Sequence, residues 1–389
     1  MTAIHVSKES RFQQKLVAIR RHLHQYPELS HEEFETTAFI RSTLKAADIR
    51  IVSEFKLETG LIAEVGGLHG GPTLALRADI DALPIQEETG LSFASKHGGK
   101  MHACGHDFHT AALIGAALLL KEREHELAGS VRLVFQPAEE KAAGANKVIK
   151  TGALEGVKAI YGMHNKPDLP VGTIGIRSGP LMAAADGFLV ELEGIGSHAA
   201  VPEASVDPVV AAAYLVTALQ SIVSRSVSPL ESAVVSVTRL HTGTAWNIIP
   251  EKAILDGTVR TFDNDVRTRV KQRFGDIVTG VAAAFGAQAS FRWLQGPPPV
   301  HNDAALAEAA AKVAERIGLE VMAPKPSPAG EDFAFYQQQI PGFFAFIGTS
   351  GPHEWHHPAF DIDERALSVS ALFFAELAVD ELKRFAAER

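Results

Sequence analysis

The order of predicted strands and helices changes twice along this 389-residue chain, which limits the folds that it can adopt. Up to residue 183, strand-like apolar runs alternate with helical patterns, as in an α/β sheet flanked by helices. Residues 184–295 follow the order β-α-β-β-α-β instead, which makes a four-stranded sheet with two helices. The run Gly296-Pro297-Pro298-Pro299 ends this segment, and the first pattern then resumes. The sequence therefore predicts a large α/β domain with a mixed sheet, residues 1–183 and 296–389, and an inserted smaller α+β domain, residues 184–295.

The composition argues against several classes of partner. A formal net charge of -9 leaves no basic surface for a phosphate backbone, so we expect no nucleic acid partner. The N-terminus has no signal-like apolar core, and no apolar run approaches the roughly 20 residues of a membrane span. We therefore expect a soluble, cytoplasmic protein without a membrane partner. The single cysteine, Cys104, excludes an internal disulfide.

Polar side chains follow four of the predicted strands in the large domain. In an open α/β sheet the ligand crevice lies outside the carboxyl ends of the strands, so we expect these side chains to meet in one crevice. They are Asp79 and Asp81, Glu139 and Glu140, His164, and His356. The segment Met101-His102-Ala103-Cys104-Gly105-His106-Asp107 adds a thiol and further imidazoles.

Carboxylate, thiolate and imidazole together are the ligand set of a hydrolytic metal site. Cys104 and His106 alone could belong to a surface loop, since short Cys/His pairs recur by chance. With Glu140, His164 and His356 available in the same crevice, a metal site is the favoured interpretation. Five ligands exceed the four that one tetrahedral zinc ion takes, which indicates two divalent ions that share a bridge. Thiolate favours zinc, whereas carboxylate and imidazole also suit manganese, cobalt or nickel.

The acids Glu139 and Glu140 come after a strand that stops at Pro137. Adjacent side chains point in different directions, so one carboxylate can bind metal while the other acts as general base and later as general acid. The alternative is a solvated helix start, where carboxylates complement the helix dipole. Of Asp79 and Asp81, we expect one to accept a hydrogen bond from a ligand histidine, and the alternative is a turn-forming aspartate.

Three further patterns, taken by themselves, indicate no catalytic site. Ser30-His31-Glu32-Glu33 is a capping-box pattern at the start of a predicted helix, residues 30–47. Gly194-Ile195-Gly196-Ser197-His198-Ala199 fits a loose dinucleotide fingerprint, but no helix begins there to bind phosphate, so a Rossmann site is not expected. Four histidines on polar helices or turns are assigned to the surface, namely His22, His24, His31 and His69.

Four motifs together resemble the M20 metallopeptidase family, and within it the amidohydrolase branch of hippurate hydrolases, N-acyl-amino-acid deacylases and plant auxin-conjugate hydrolases. The motifs are Arg77-Ala78-Asp79-Ile80-Asp81-Ala82-Leu83-Pro84, Met101-His102-Ala103-Cys104-Gly105-His106-Asp107, Gln136-Pro137-Ala138-Glu139-Glu140 and Gly330-Glu331-Asp332-Phe333. The resemblance extends over nearly the whole chain.

The resemblance implies a set of metal ligands and a catalytic base. The implied ligands are Cys104, His106, Glu140, His164 and His356. Glu139 would be the base and Asp81 the orienting acid. His356 is preferred over His357 because the branch carries a His-x-Pro pattern and Pro358 stands two residues after His356.

The resemblance also implies that the inserted domain is a lid that makes the dimer contact, so we expect a homodimer or a dimer-based tetramer. Its His198 would help to stabilise the tetrahedral oxyanion, in relatives often from the partner subunit. Asn247 and Arg260 match positions that hold the substrate's carbonyl and carboxylate. A planar guanidinium suits bidentate binding of a carboxylate, although Arg260 could instead be a surface salt-bridge partner.

The predicted activity is metal-dependent hydrolysis of the amide bond of an N-acyl amino acid, a small molecule with a free carboxylate. Metal-activated water, deprotonated by Glu139, would attack the acyl carbon, and Glu139 would return the proton to the leaving amine. Two alternatives remain open. One is a metal-independent cysteine amidase with Cys104 as nucleophile, and the other is a catalytically silent metal-binding protein.

Overall fold

The computed structural model describes residues 3–68 and 70–388, so His69 lies outside the described residues. The helices are α1 (Ala3–Gln25), α2 (Phe34–Ala46), α3 (His106–Glu122), α4 (Gly144–Lys150), α5 (Pro208–Ser221), α6 (Asn264–Ala284), α7 (Ala304–Arg316), α8 (Ala334–Gln337) and α9 (Ala366–Ala387). The strands are β1 (Arg50–Ile51), β2 (Leu61–Gly66), β3 (Thr73–Asp79), β4 (Ser130–Gln136), β5 (Val157–Lys166), β6 (Thr173–Gly175), β7 (Gly179–Met182), β8 (Ala184–Glu193), β9 (Ser197–His198), β10 (Ala233–Thr242), β11 (Ile248–Ile249), β12 (Lys252–Thr261), β13 (Gln288–Leu294), β14 (Val300–Asn302), β15 (Glu320–Met322) and β16 (Gly342–Gly348).

The chain divides into two compact units. Unit 1 comprises Met1–Gly179, His301–Lys325 and Asp332–Arg389, and unit 2 comprises Pro180–Val300 and Pro326–Glu331. The predicted insertion, residues 184–295, lies within unit 2, and a short segment from later in the chain joins it. The assignment of one unit to catalysis and of the other to a lid stays a prediction.

Unit 1 is built on an eight-stranded sheet with the strand order β1-β2-β4-β3-β5-β16-β6-β15. At its centre, β4, β3, β5 and β16 run parallel, whereas β2 pairs antiparallel with β4 and β6 antiparallel with β16. The predicted mixed sheet is therefore confirmed. Because the four central strands share one direction, their carboxyl ends meet at the same edge of the sheet.

Helices cover both faces of this sheet, as two neighbouring side chains of β16 demonstrate. The ring of Phe343 contacts Tyr161, whose hydroxyl donates a hydrogen bond to Glu381 of α9 at 2.5 Å. Phe344 instead packs on Phe333, directly before α8, with ring centroids 4.8 Å apart. Successive side chains of a strand point to opposite faces, so α9 and α8 lie on opposite sides of the sheet.

Helix α2 begins at Phe34, later than the sequence pattern predicts. Its N-cap residue, Glu33, makes no side-chain cap bond. The carboxylate of Glu28 accepts hydrogen bonds from the amides of Glu35 and Thr36 at 3.2 and 2.8 Å instead. The predicted capping box, in which Ser30 and Glu33 satisfy the helix start, is therefore wrong, because both side chains bond to distant parts of the chain.

Unit 2 contains a four-stranded antiparallel sheet with the order β10-β12-β8-β13. Its elements follow one another along the chain as β8, α5, β10, β12, α6 and β13. Helices α5 and α6 contact each other and the sheet, and they bury Phe188, Leu215 and Phe274 completely. The short strands β9 and β11 pair separately as a two-stranded ribbon.

The segment Pro208–Ser226 of unit 2 is, by length and composition, long and apolar enough to cross a membrane, and 28% of it is buried. The expectation that no apolar run approaches such a length is therefore wrong for this segment. One helix of this kind is a weak indicator, because core helices of soluble proteins have the same property. Leu215 and Leu219 face the core, whereas Tyr214 is 60% exposed.

Gly257 of β12 tests how tightly unit 2 is packed. A Cβ at this position would lie 2.0 Å from the backbone oxygen of Ser236 and 2.6 Å from the ring of Phe188. We expect Gly257→Ala to lower the free energy of unfolding by about 2 kcal/mol, because neither neighbour can move without cost. The matched variant Gly280→Ala, on an open face of α6, should raise it by about 1 kcal/mol. Denaturant unfolding measures both, and equal effects would contradict this account.

Candidate metal centre

The carboxyl edge of the central strands of unit 1 carries the polar side chains singled out by the sequence. Strand β3 ends at Asp79, and β5 contains His164 near its end. Helix α3 begins at His106, directly after Gly105, whose φ of 83° lets the chain turn sharply into the helix. The segment after β16 supplies His356. The fold thus delivers side chains from distant parts of the sequence to one edge.

The five predicted ligands lie close together. The ligand atoms of Cys104, His106 and His164 lie within 4.8 Å of one another, as do those of Cys104, Glu140 and His356. Sγ of Cys104 is 3.5 Å from Nε2 of His164. Oε1 of Glu140 is 3.9 Å from Nε2 of His106 and 3.5 Å from Nε2 of His356. Cys104 therefore belongs to both groups, so the five side chains form one continuous cluster.

The structure distinguishes the two adjacent histidines near the C-terminal end. His356 has a left-handed backbone, with φ of 66°, and its imidazole reaches Glu140. The ring of His357 stacks on His353 with centroids 4.1 Å apart, and its Nδ1 accepts a hydrogen bond from the amide of Ala359. The ring of His356, and not that of His357, therefore lies beside Glu140, and its role as ligand stays a prediction.

Buried polar atoms without hydrogen bonds indicate that this cluster is built to hold cations. Among the described residues, both ring nitrogens of His106 and Oε1 of Glu140 are buried and have no hydrogen-bond partner. Leaving such groups unpaired costs free energy, so native structures rarely tolerate it. Imidazole, thiolate and carboxylate are the donors that zinc and other divalent transition metals take. The residues present therefore fit two divalent ions.

The electrostatics of the cluster favour positive charge. Burial lowers the pKa of His106, but the carboxylates of Asp79, Asp81 and Glu140 outweigh this effect and raise the pKa to about 10. Burial and the neighbouring His109 hold the pKa of His164 well below its ordinary value. The cluster thus attracts cations and offers a neutral imidazole, as metal ligation requires.

A chain of hydrogen bonds that the sequence did not predict stabilises the cluster. Nδ1 of His109 lies 2.6 Å from Oδ1 of Asp79, and Nε2 of His109 accepts bonds from the backbone and side-chain amides of Asn165 at 2.9 and 3.0 Å. Nδ2 of Asn165 also donates to the carbonyl of Cys104 at 2.6 Å. The chain therefore connects the end of β3 to the residue that carries the thiol. The one sequence signal for His109 is its position on α3, one turn after His106.

His164 is fixed on its far side. Its Nδ1 donates to the carbonyl of Asn165 at 2.8 Å, which leaves Nε2 as the lone-pair nitrogen beside Cys104. The ring of Trp355 lies edge-on to His164 with centroids 4.5 Å apart, and its indole N–H also donates to the carbonyl of Asn165. Such contacts fix the tautomer and the orientation of an imidazole ligand.

Asp81 holds the backbone that carries the two glutamates. Its Oδ1 accepts a hydrogen bond from the amide of Glu139 at 3.0 Å, and its Oδ2 accepts one from the amide of Glu140 at 3.1 Å. Oδ1 also lies 3.4 Å from Nδ1 of His106, longer than an ordinary hydrogen bond. Of the two aspartates, Asp81 is thus the one that faces a ligand-candidate histidine through Nδ1, and the bond between them stays a prediction, whereas Asp79 bonds to His109.

The two glutamates form a single 3-10 turn, Glu139–Lys141, between two residues with left-handed backbones, Ala138 and Ala142. They do not begin helix α4, which starts at Gly144. Carboxylate oxygens of both glutamates lie within 4.8 Å of a ring nitrogen of His106. The alternative of a solvated helix start is therefore not supported by the structure.

Asp332, in the last of the four motifs, connects two strands to the glutamate turn. Its Oδ1 accepts from Arg77 at 2.9 Å and from Gln136 at 2.8 Å, and its amide donates to Oε1 of Glu139 at 3.3 Å. Burial raises the pKa of Asp332 to about 6, against the opposing effect of Arg77. No role was assigned to Asp332 or Arg77 from the sequence, because Arg77 and Asp332 lie 255 residues apart along the chain.

His24 is buried, which corrects its assignment to the surface. Its Nδ1 lies 2.8 Å from Asp107 and its Nε2 lies 3.2 Å from Glu87. Nε of Arg20, one turn earlier on α1, also donates to Asp107 at 2.9 Å. Arg20 and His24 therefore face inward, whereas His22 on the same helix and His31 are exposed as expected.

Unit 2 carries the other three predicted site residues. His198 pairs with Ile248 across the β9–β11 ribbon, and the carbonyl of Asn247 accepts a bond from the amide of Ala199 at 3.0 Å. His198 and Asn247 are therefore neighbours on one ribbon. The half-buried Arg260 donates to the carbonyls of Pro328 and Val259, each at 3.1 Å.

Comparison with known proteins adds a family and named relatives. Residues 75–380 match the profile described as peptidase family M20/M25/M40. The chain is 56% identical to "N-acetyl-L-cysteine deacetylase" of Bacillus subtilis (strain 168), covering 95% of this chain and 88% of that protein. It is 39% identical to "IAA-amino acid hydrolase ILR1-like 4" of Arabidopsis thaliana, covering 96% of this chain and 87% of that protein. The solved structure of the Bacillus subtilis YXEP protein, described as a dinuclear metal binding peptidase from the M20 family, aligns with a TM-score of 0.88 at 51% identity and covers 96% of this chain and 99% of that chain.

The single thiol provides a direct test of metal ligation. Cys104 is 7% exposed, and a bound ion would hold its sulfur as a coordinated thiolate. We expect iodoacetamide to alkylate the chelator-treated protein about tenfold faster than the zinc-loaded protein. Mass spectrometry of the intact chain gives the rate, and Cys104→Ser, which has no thiol, is the control. Equal rates in both forms would contradict the role of Cys104 as ligand.

Proposed function

Because the chain belongs to peptidase family M20/M25/M40, we propose that it is a metal-dependent amidohydrolase that releases a carboxylic acid and a free amino acid from an N-acyl amino acid. The observation that carries this proposal is the convergence of Cys104, His106, Glu140, His164 and His356 beside a further carboxylate, Glu139. Relatives named as deacetylases and as amino acid hydrolases match nearly the whole chain and support the same class of amide substrate.

The proposed chemistry assigns separate duties to the two glutamates. Two divalent ions held by the five ligands would polarise the amide carbonyl and lower the pKa of the attacking water. The carboxylate of Glu139 takes the proton from this water as its oxygen bonds to the acyl carbon. Glu139 then gives the proton to the amide nitrogen as the C–N bond breaks, so that an amine and a carboxylic acid leave. The amide of Asp332 and the carboxylate of Asp81 orient Glu139 for both transfers.

For substrate recognition we assign three residues of unit 2. His198 would donate a hydrogen bond to the oxyanion, Asn247 would hold the carbonyl, and Arg260 would bind the carboxylate of the amino acid. The shared ribbon of His198 and Asn247 supports a joint role, because it fixes the two residues relative to each other. The guanidinium of Arg260 bonds to two backbone carbonyls. These bonds fix its position, which supports a role in binding a carboxylate over that of a mobile surface side chain.

The proposed function is completed by the identities of the acyl group and of the native metal. The names of the relatives point to two acyl groups of different size, acetyl and indole-acetyl, each said of those proteins alone. A panel of N-acetyl, N-benzoyl and longer N-acyl amino acids, each assayed with zinc, manganese, cobalt and nickel, addresses both questions. A cysteine amidase would keep full activity in metal-free protein, so the same panel separates that alternative.

Replacing Glu139 tests the proton transfer. Glu139→Gln keeps the shape of the side chain but removes the basic carboxylate, so we expect kcat to fall by at least about 100-fold. Metal content, measured by mass spectrometry of the elements, should stay near two ions per chain because Glu139 is not an assigned ligand. The exposed Glu155→Gln is the matched control and should leave kcat unchanged. A variant with wild-type kcat would remove Glu139 from its role, and an inactive wild type would favour a silent metal-binding protein.

We further propose that unit 2 forms the contact of a homodimer. Helix α5 supports this proposal, because it is strongly apolar and yet leaves Val209, Val210 and Tyr214 exposed at 39, 41 and 60%. Exposed apolar patches of this kind mark interaction surfaces in soluble proteins. His198 would then reach the metal centre of the partner subunit.

Mixed dimers test both the contact and the origin of His198. Glu139→Gln and His198→Ala each inactivate their own homodimer under this proposal. In a hybrid, the subunit with intact Glu139 would receive an intact His198 from its partner, so we expect mixing after mild dissociation to restore up to one active site per hybrid dimer. Activity assays and analytical ultracentrifugation measure the outcome. If His198 acts within its own subunit, both sites of the hybrid stay inactive and mixing restores nothing.

A further inference from the structure

The turn that carries Glu139 and Glu140 begins with an unusual backbone. Ala138 is fully buried and has a left-handed conformation, with φ of 52°. A residue with a Cβ pays free energy for this conformation, so the surrounding structure must hold it in place. The conformation of Ala138 sets the direction in which the next two side chains leave the backbone.

Two carboxylates hold three successive amides of this turn. The amide of Ala138 donates to Oε1 of Glu33 at 2.8 Å. The next two amides donate to the two oxygens of Asp81, at 3.0 Å from Glu139 and 3.1 Å from Glu140. Hydrogen bonds to charged acceptors are among the stronger ones in proteins. The turn is therefore fixed amide by amide, and its first amide depends on Glu33.

Glu33 comes from a part of the chain that supplies none of the assigned metal ligands or catalytic residues. It stands 105 residues before Ala138, in the loop that leads into α2, and it is fully buried. Its side chain does not cap α2, although the sequence pattern predicts that use. The hydroxyl of Ser30 in the same loop donates to Oδ2 of Asp81 at 2.6 Å. This loop thus supports both carboxylates that hold the turn.

We infer that Glu33 is a positioning residue for the hydrolysis, which acts by holding the amide of Ala138 so that Glu139 faces the substrate and Glu140 faces the metal. The inference rests on the proposed function. Without this acceptor the amide of Ala138 is unpaired, and only the two bonds to Asp81 still fix the directions of the two carboxylates. A buried acid that only stabilised the fold would not affect turnover in the folded enzyme.

Three variants of Glu33 separate these roles. Glu33→Ala removes the acceptor, and Glu33→Asp withdraws it by one methylene while keeping the charge. We expect both to lower kcat about 10- to 100-fold, as loss of a residue that supports metal ligands typically does, with little change in KM. Glu33→Gln keeps a carbonyl oxygen at the same position and should retain kcat within about threefold of wild type. The substrates are N-acetyl amino acids and the enzyme is the metal-loaded full chain.

Metal binding supplies a second readout. Because Glu140 is an assigned ligand, titration of chelator-treated protein with zinc should show about 10-fold weaker binding in Glu33→Ala and Glu33→Asp, and near-normal binding in Glu33→Gln. Glu28→Ala is the matched control: it removes the carboxylate that caps α2 from the same loop and does not touch the turn. It should lower thermal stability and leave both kcat and zinc affinity unchanged.

The outcomes distinguish this inference from the proposed function. Folded Glu33→Asp with wild-type kcat and zinc affinity would overturn the inference, as would a Glu28→Ala variant that loses as much kcat as Glu33→Ala. If Glu33→Ala does not fold, the comparison of Glu33→Asp with Glu33→Gln still tests the inference. A wild-type protein that hydrolyses no N-acyl amino acid would overturn the proposed function instead.

Discussion

The hydrogen bonds of one fully buried cation, Arg77, are the interactions on which the candidate site of unit 1 depends. Its guanidinium donates to Gln136 at 2.9 Å, to Asp79 at 2.8 Å and to Asp332 at 2.9 Å, so it joins the ends of β3 and β4 to the loop before α8. The charged partners are fully buried too. Removing one member of such a network leaves an uncompensated charge in the interior, which costs several kcal/mol. The partners of Arg77 bond in turn to residues of the candidate metal centre.

Two chains of hydrogen bonds begin at Arg77. The first runs through Asp79 to His109 and Asn165, and it ends at the carbonyl of Cys104. The second runs through Asp332 to the carboxylate of the proposed base. Each branch includes one bond to a backbone group, the carbonyl of Cys104 in the first and the amide of Asp332 in the second. Backbone groups have fewer ways to move, so a site that is built in this way holds its geometry with little loss of entropy on binding.

Most of the fold was predictable because it follows from local patterns. Apolar runs located the central strands, and the residues after those strands include three of the five metal-ligand candidates, Glu140, His164 and His356. Cys104 and His106 belong to a separate motif before α3. The assignments that failed concern polar side chains whose hydrogen-bond partners lie far along the chain. Ser30 and Glu33 fit a local cap, yet they bond 51 and 105 residues away, and His24 looked solvated although its acidic partners bury it. Sequence spacing gives no information about such pairs, since only the folded sheet brings them together.

Strand β16 occupies the middle of the sheet of unit 1, between β5 and β6, although it is the last strand to leave the ribosome. Until residues 342–348 are synthesised, the sheet consists of two separate pieces, β1-β2-β4-β3-β5 and β6-β15. Unit 2, whose strands all lie between residues 180 and 300, can pair its own strands long before that. The nascent chain therefore carries a nearly complete second unit beside an unfinished first unit. The candidate metal centre, whose last proposed ligand is His356, is among the final features to form.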